Sequence, residues 1–286
     1  MTGEVQTNLQ IGEDGNGRFN VRGFPWWLVA IIGFLAFMFL LIMTKPDYNR
    51  AFNFIKGSFG GIQGFQDGGM AGFIGTGIAI TIYTTLVAFA IALVIGLLAG
   101  LGRVSTNVFV RNIAITYIEF IRGVPTLVLI FTVAYVIVPP VSEMLGFSGQ
   151  SISNNSRGII ALSVIYGAFL AEVFRAGIES VPPGQTEAAR SLGLNGHQAM
   201  RYVVLPQAIR NVLPALGNDF IAMLKDSSLI SVLAVRDITQ MARLHAGSTF
   251  RFRESYLVLT FLYLSMTIAL SLFLRWYEKR LRQNAR

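Results

Sequence analysis

The sequence predicts an all-α integral membrane protein with six transmembrane helices. Of its 286 residues, 53% are hydrophobic and only 13% are charged, and the mean hydropathy is +0.57. A soluble domain carries about 25% charged residues, so this composition excludes disordered chains, coiled coils and most soluble proteins. The second observation is a series of runs with little or no charge, each close to the roughly 20 residues that a helix needs to cross a bilayer.

The first and last spans are the clearest because neither contains a charged residue. Span one follows a polar tail and begins near Trp26 and Trp27, which suit the membrane interface. Span two lies inside an uncharged run, where the spacing of Gly96 and Gly100 predicts close approach to a neighbouring helix. The six predicted spans are 25–44, 73–101, 112–135, 158–178, 212–235 and 255–274.

The middle spans carry charge or proline. Span three contains Pro125 and is expected to stop at Pro139 and Pro140. Span four carries its charges near its end, and the run 225–228 breaks span five about halfway. Such a break must face protein or water, because lipid offers no partner to freed backbone groups.

Six spans place both ends of the chain on one side, and the basic C-terminal segment indicates that this side is the cytoplasm. We therefore expect a cytoplasmic tail at 1–24, an external glycine-rich loop at 45–70, a core at 71–280 and a basic tail at 281–286. Four arginines lie within 236–253, on the predicted outer side, and they reduce the excess of basic residues on the cytoplasmic side. A five-span chain, with 25–44 removed or lying on the surface, is the alternative.

The composition also limits the chemistry. The chain has no cysteine and two histidines, so we predict no metal site and no catalytic residues. No G-x-x-x-x-G-K-[ST] motif is present to cradle a phosphate. The net charge of +8 is typical of basic cytoplasmic flanks, not of nucleic-acid binding.

The segment 182–206 predicts two short helices on the cytoplasmic surface. Pro182, Pro183 and Gly184 end span four, and a helix then starts near Gln185 or Thr186. Glu187 suits its first turn, Ala188 and Ala189 favour helix, and Gly193 permits a left-handed turn. A second helix, at about 196–203, is expected to stop at Pro206.

This pattern resembles a known family. The run Glu187-Ala188-Ala189, then Gly193, then Leu205-Pro206, is similar to the EAA loop of permease subunits in binding-protein-dependent ABC importers. Where that pattern has isoleucine two residues before Leu-Pro, this chain has Val203. The segments 119–126, 171–178 and 224–230 resemble polar amino-acid permeases of the histidine, glutamine and arginine type. The resemblance covers about 75–280 and leaves 1–70 outside.

The resemblance implies a type I ABC importer permease fold, a five-span core to which 25–44 adds one N-terminal helix. It implies a non-enzymatic chain of the bacterial cytoplasmic (inner) membrane, with ATP and Mg²⁺ bound by cytoplasmic ABC ATPase subunits that dock on 182–206. The other implied partners are an extracytoplasmic amino-acid-binding protein and a second permease subunit, identical or similar. A stand-alone ion-coupled carrier or channel is the alternative, but such a protein has no reason to carry this loop.

Charged residues at membrane depth cost free energy, so they are expected either to form ion pairs or to line a translocation pathway. Glu119 and Arg122, like Glu172 and Arg175, stand three apart on one helix face and can pair. Either they brace the fold or they line the translocation cavity. Thr126 is a candidate cavity hydroxyl, although threonine on apolar helices often bonds its own turn.

The strongest candidate for a solute site is the break in span five. Lys225 suits the carboxylate and Asp226 the amine of an amino acid, and Ser227 and Ser228 supply hydroxyl groups. The alternative is a Lys225–Asp226 pair that only braces the fold.

Overall fold

The computed structural model describes residues 26–58, 75–146 and 152–283. The predicted tail at 1–24 and residues 59–70 of the predicted glycine-rich loop lie outside these ranges, as do the last residues of the basic tail. The helices are α1 (Trp26–Thr44), α2 (Pro46–Ile55), α3 (Ile78–Arg103), α4 (Val108–Gly123), α5 (Thr126–Phe131), α6 (Val138–Met144), α7 (Asn154–Glu179), α8 (Pro183–Ser191), α9 (Gly196–Ala199), α10 (Leu205–Asp226), α11 (Ile238–Thr249) and α12 (Phe252–Gln283).

The all-α membrane class is confirmed, but the count of six spans is not. In the described ranges, four helical stretches are long and apolar enough to cross a membrane: Ile78–Arg103, Thr126–Met144, Asn154–Glu179 and Phe252–Glu278. A fifth candidate is the pair Val29–Thr44 and Pro46–Ile55, which is bent by 103°. Predicted span five falls mainly in α10, which is not among them because polar residues recur along it.

The prediction for span three, 112–135, was wrong. Helix α4 ends at Gly123, and Val124 is extended, because a residue before proline is disfavoured in the helical region. The apolar stretch therefore starts at Thr126 and continues through a π turn (Thr132–Ile137) to Met144. Pro139 and Pro140 do not stop it, because they lie in the first turn of α6, where no amide donor is needed.

Helices α3 and α7 run in the same direction and pack closely along their length. Thr84 donates a hydrogen bond to Asn155 at 2.7 Å near their starts, and Gly100 lies against Ala171 near their ends. A Cβ on Gly96 would stand 2.7 Å from the Leu170 Cβ, so only glycine permits this spacing. The predicted close approach at Gly96 and Gly100 is confirmed. Buried side chains of α5, α10 and the π turn complete this core.

The first part of the predicted external loop 45–70 is helical instead. Proline at the start of α2 is compatible with a first helical turn, and Tyr48, Ala51 and Ile55 bury its apolar face. These side chains form a second core with Met38 of α1 and with residues of α11 and α12. The N-terminal helix thus packs on the protein through α2 as well as directly.

Two glycines join α2 to the start of α3. Gly57 and Gly77 both have positive φ, +71° and +67°, and a Cβ on either would meet the backbone of the other segment within 2.3 Å. The Ile78 amide donates to the Lys56 carbonyl at 3.0 Å, and the Gly77 amide donates to the Arg236 carbonyl at 2.8 Å. Backbone hydrogen bonds therefore tie α2, α3 and the segment before α11 at one end of the bundle.

Next to this junction, Asp237 immediately precedes α11 and caps its first turn. Its Oδ1 accepts a hydrogen bond from the Gln240 amide at 2.9 Å, which caps the helix. The residue is fully buried, and burial raises the pKa of its carboxyl to about 6.

We expect Gly96→Ala to destabilise the protein by about 1–3 kcal/mol, because the added methyl group forces α3 away from α7. The measurement is the thermal unfolding midpoint in detergent. Gly33→Ala, in α1 with nothing within 4 Å of the added Cβ, is the matched control and should leave the midpoint unchanged or raised. Equal midpoints for the two variants would contradict the packing argument.

Candidate functional site

The segment 182–206 forms the two short helices that the sequence predicts. Helix α8 starts at Pro183, two residues earlier than expected, and Gly193 follows it with φ +87°. Asn195 then caps α9 by accepting from the Gln198 amide at 2.9 Å, while the Gln198 side chain accepts from the Asn195 amide. We call this segment, 182–206, the coupling loop, after the role that the sequence resemblance implies for it.

The predicted stop at Pro206 was wrong. The chain is helical without interruption from Gly196 through a π turn (Met200–Val204) into α10. Pro206 lies in the first turn of α10, and the π turn before it changes the bonding pattern there. The second helix of the loop therefore continues directly into the helix that contains Lys225 and Asp226.

The residues of the predicted motif have different environments. Ala189 is buried, whereas Glu187, Ala188 and Pro206 are exposed and Leu205 is half-buried. The apolar side chain of Leu192 is 85% exposed. One face of α8 therefore packs on the protein, and the other is open for a partner.

Apolar packing and hydrogen bonds attach the coupling loop to the bundle. Ile178, Val181, Val204 and Ala208 form a small buried cluster, and residues at the end of α3 pack against it. Within the loop, Gln185 accepts a hydrogen bond from the Gln207 side-chain amide of α10 at 3.4 Å, and beside the loop the Asn211 side-chain amide donates to the Ser180 hydroxyl at 2.9 Å. The loop is thus fixed to the ends of α3 and α7 and to the start of α10.

The predicted break in span five is present as a change of helix type. Helix α10 ends at Asp226, and a 3-10 helix (Ser227–Leu233) follows it. Ser227 is buried, and its hydroxyl donates to the Leu224 carbonyl at 2.8 Å, so it is not free for a solute. Ser228 is half-buried.

Asp226 is held by a residue that the sequence analysis missed. The Tyr166 hydroxyl of α7 donates a hydrogen bond to Asp226 Oδ2 at 2.8 Å. Lys225 is exposed and has no ion pair with Asp226 in the described part of the chain. A Lys225–Asp226 brace is therefore not what the structure shows. The sequence pattern does not distinguish Tyr166 from the other residues of its apolar helix, so this partner of Asp226 could not be predicted.

Polar residues follow one face of α10. Asn211, Asn218 and Lys225 are spaced by seven residues, which places them on one side of the helix, and all three are exposed. Such a face is unsuited to lipid and requires water or protein beside it.

The other predicted charges lie near the coupling loop. Glu172 pairs with Arg175 at 2.9 Å, as predicted. Glu119 pairs not with Arg122 but with Arg103, at 3.5 Å, because the two helices α3 and α4 bring those side chains together. Arg122 is exposed, and the described residues give it no ion pair.

Two further points complete the site. Thr126 is half-buried at the start of α5. Within 26–58, 75–146 and 152–283, no three histidine or acidic side chains converge on a position that suits a metal ion.

Comparison with known proteins identifies the family. Residues 92–283 match the model of the binding-protein-dependent transport system inner membrane component. The chain belongs to this family. The match contains the coupling loop and the broken helix, and it begins after α1 and α2. Membership favours the permease-subunit interpretation over a stand-alone carrier or channel.

Relatives of this family member share most of its length. It is 36% identical over 204 residues to the probable glutamine ABC transporter permease protein GlnM of Bacillus subtilis, covering 71% of this chain and 91% of the relative. It is 33% identical over 206 residues to the glutamine transport system permease protein GlnP of Escherichia coli K12, covering 72% and 91%. The L-cystine transport system permease protein TcyL of Bacillus subtilis is 34% identical over 205 residues, covering 72% and 85%.

Solved structures support the ABC importer permease fold. The crystal structure of an amino acid ABC transporter with histidines matches with a TM-score of 0.62 and 39% identity, covering 71% of this chain and 92% of the other. The structure of an inward-facing MetNI methionine ABC transporter matches with a TM-score of 0.55 and 19% identity. The match covers 73% of this chain and 92% of the other, and it shows that the two share the fold.

We expect Tyr166→Phe to lower stability by about 1–3 kcal/mol, because it leaves the half-buried Asp226 carboxylate without its hydroxyl donor. Thermal unfolding in detergent measures the effect. Tyr135→Phe, on an exposed tyrosine, is the control that keeps its ring and should change little. A Tyr166→Phe variant as stable as the control would show that this hydrogen bond is not important for the fold.

Proposed function

We propose that this chain is the transmembrane permease subunit of an ABC importer for polar amino acids. It forms the pathway together with a second permease subunit, identical or similar, and works by alternating access. The observation that carries the proposal is the coupling loop, a pair of helices fixed to the bundle on one face and open on the other, in a member of this family.

The substrate class is drawn from relatives and from the site. The names of the relatives include glutamine and L-cystine, and the structure at 39% identity is an amino acid ABC transporter. Polar amino acids carry a carboxylate and an ammonium group, and Lys225 and Asp226 are the last two residues of α10, where the helix type changes. We assign the carboxylate to Lys225 and the ammonium to Asp226.

The pathway follows the polar face of α10. Asn211, Asn218 and Lys225 are exposed in the single chain, and a second subunit across a wet cavity would shield them from lipid. Ser228 and Thr126 are half-buried and remain candidates for this lining. Glu119 and Glu172 pair with Arg103 at the end of α3, so we assign them, with Arg122 one helical turn after Glu119, to the cytoplasmic end of the pathway and not to its middle.

Energy reaches this chain from a partner. ATP and Mg²⁺ bind to two cytoplasmic ATPase subunits, and the chain hydrolyses nothing itself. The exposed Glu187, Ala188 and Leu192 form the docking face, and the buried Ala189 holds α8 against the bundle. Closure of the ATPase dimer pushes α8, and the subunits exchange two packings as rigid bodies.

The helix directions fit a cytoplasmic location for both ends of the chain. Helices α3 and α7 run parallel and end beside the coupling loop. Helix α12 begins beside α2, where Arg251 pairs with Asp47, and it runs back toward the loop side. We place that side in the cytoplasm of a bacterium and the extracytoplasmic amino-acid-binding protein on the opposite side.

Ala188→Arg should reduce co-purification of the ATPase subunit, because a long charged side chain on the docking face prevents close approach. We expect roughly a tenfold loss of affinity, equal to about 1.4 kcal/mol. Thr106→Arg is the control, since Thr106 is exposed in the loop between α3 and α4 on the same side of the protein. ATPase retention by the Ala188→Arg variant equal to that of the control would contradict the docking assignment.

The double variant Lys225→Ala, Asp226→Asn should lower amino-acid uptake into proteoliposomes by about tenfold or more while assembly with the ATPase stays normal, because an asparagine side chain can still accept the Tyr166 hydrogen bond. The reason is the loss of both charges that hold the amino acid. Lys56→Ala, at an exposed side chain just after α2, serves as the control and should transport normally. Unaltered uptake by the double variant would remove the substrate role.

A further inference from the structure

A connected group of charges links three helices above the coupling loop. It contains Arg103 from the end of α3, Glu119 from α4, and Glu172, Arg175 and Glu179 from α7. We call this group the charge cluster. Its central member is Glu172, whose Oε1 contacts Arg103 while its Oε2 accepts a hydrogen bond from the Arg175 Nε at 2.9 Å.

Glu172 alone joins α7 to another helix within this cluster. Arg103 extends the link to α4 through Glu119, at 3.5 Å. The pair Arg175–Glu179, by contrast, lies within α7 and connects nothing else. The side chain of Glu172 is 18% exposed, the least of the five.

The position of the cluster relates it to movement of the loop. Glu172 lies two turns before the end of α7, and Pro183 starts α8 only four residues after Glu179. A push on α8 therefore enters the bundle through the end of α7 on one side and through α10, into which the loop continues, on the other. For α3 and α4 to move with α7, the end of α3 and the Glu119 region of α4 must be attached to α7 near Glu172.

Stability alone is a weak reason for such a cluster. Partly exposed ion pairs contribute little to folding, because water screens them. A carboxylate placed between two guanidinium groups instead restricts the relative position of the helices that carry them, because both groups are attracted to it. The close packing at Gly100 prevents α3 from sliding outward, and the cluster fixes its end.

We propose that Glu172 is a positioning residue that transmits movement of the coupling loop from α7 to α3 and α4. This inference rests on the proposed function, because it requires an ATPase that moves the loop. Glu172 touches no ATP and need touch no solute. Its role is to make the three helix ends move as one body when the loop is pushed.

The test compares coupling ratios in the assembled transporter, reconstituted in proteoliposomes with its ATPase and binding protein. The quantity measured is amino acid transported per ATP hydrolysed. We expect Glu172→Gln and Arg103→Gln each to lower this ratio roughly fivefold, the lower range of a typical coupling effect. The double variant should be no worse than either single one, because both remove the same link.

Glu179→Gln is the matched control. It also removes a carboxylate that pairs with Arg175 on α7, but it breaks no link between helices. Its coupling ratio should equal that of the wild type. If a variant is partly unfolded, transport and ATP hydrolysis fall in the same proportion. The coupling ratio then stays unchanged, so misfolding does not mimic the expected effect.

Two results would overturn the inference: a normal ratio in Glu172→Gln, or an equal loss in Glu179→Gln. Failure of the proposed function has a different signature, because the wild-type chain would then neither retain the ATPase nor show ATP-dependent uptake.

Discussion

The close parallel packing of α3 against α7 is the contact on which the rest of the structure depends. Gly96 and Gly100 let the two backbones approach, and Thr84 and Asn155 fix their register at the opposite end. Because both helices point the same way, their ends lie together at the coupling loop. That arrangement brings Arg103 to Glu172 and lets the end of α3 pack against the base of the loop.

The N-terminal helices attach to a different place. Helix α2 packs on α11 and α12, and the Gly57–Gly77 crossing ties it to the start of α3. This junction is at the end of the bundle far from the coupling loop. The family match begins only at residue 92, so α1 and α2 extend a fold that the matched region already contains. Their contacts brace the end of the bundle that lies opposite the coupling loop.

Hydrophobicity alone predicted α3, α7 and α12, because long apolar helices need no partner to be recognised. It failed at Pro125, where apolar residues on both sides hide a break that proline imposes on the backbone. It also failed at Pro206, because proline in a first helical turn is compatible with continued helix. Residue preferences state that proline is disfavoured inside a helix, but whether the helix actually ends depends on whether the proline lies in its first turn.

The site was predicted in part for the same reason. The motif of the coupling loop has fixed spacing, so its two helices and the turn at Gly193 were recognisable. The partners of Asp226 and Glu119 were not, since Tyr166 and Arg103 come from other helices and only the packing of those helices brings them near. A spacing of three residues predicted the Glu172–Arg175 pair but also a Glu119–Arg122 pair that the structure does not show, and pairs between helices leave no such pattern.

The central claim is that the open face of α8 receives an ATPase subunit, and the chain offers a clean way to test it because it contains no cysteine. A thiol-anchored photoreactive probe on Ala188→Cys, in the assembled complex, should give a covalent adduct with the ATPase subunit. The same probe on Thr106→Cys should give far less. Assembled complexes in which the probe at position 188 forms no ATPase adduct, or no more than the probe at 106, would contradict the account.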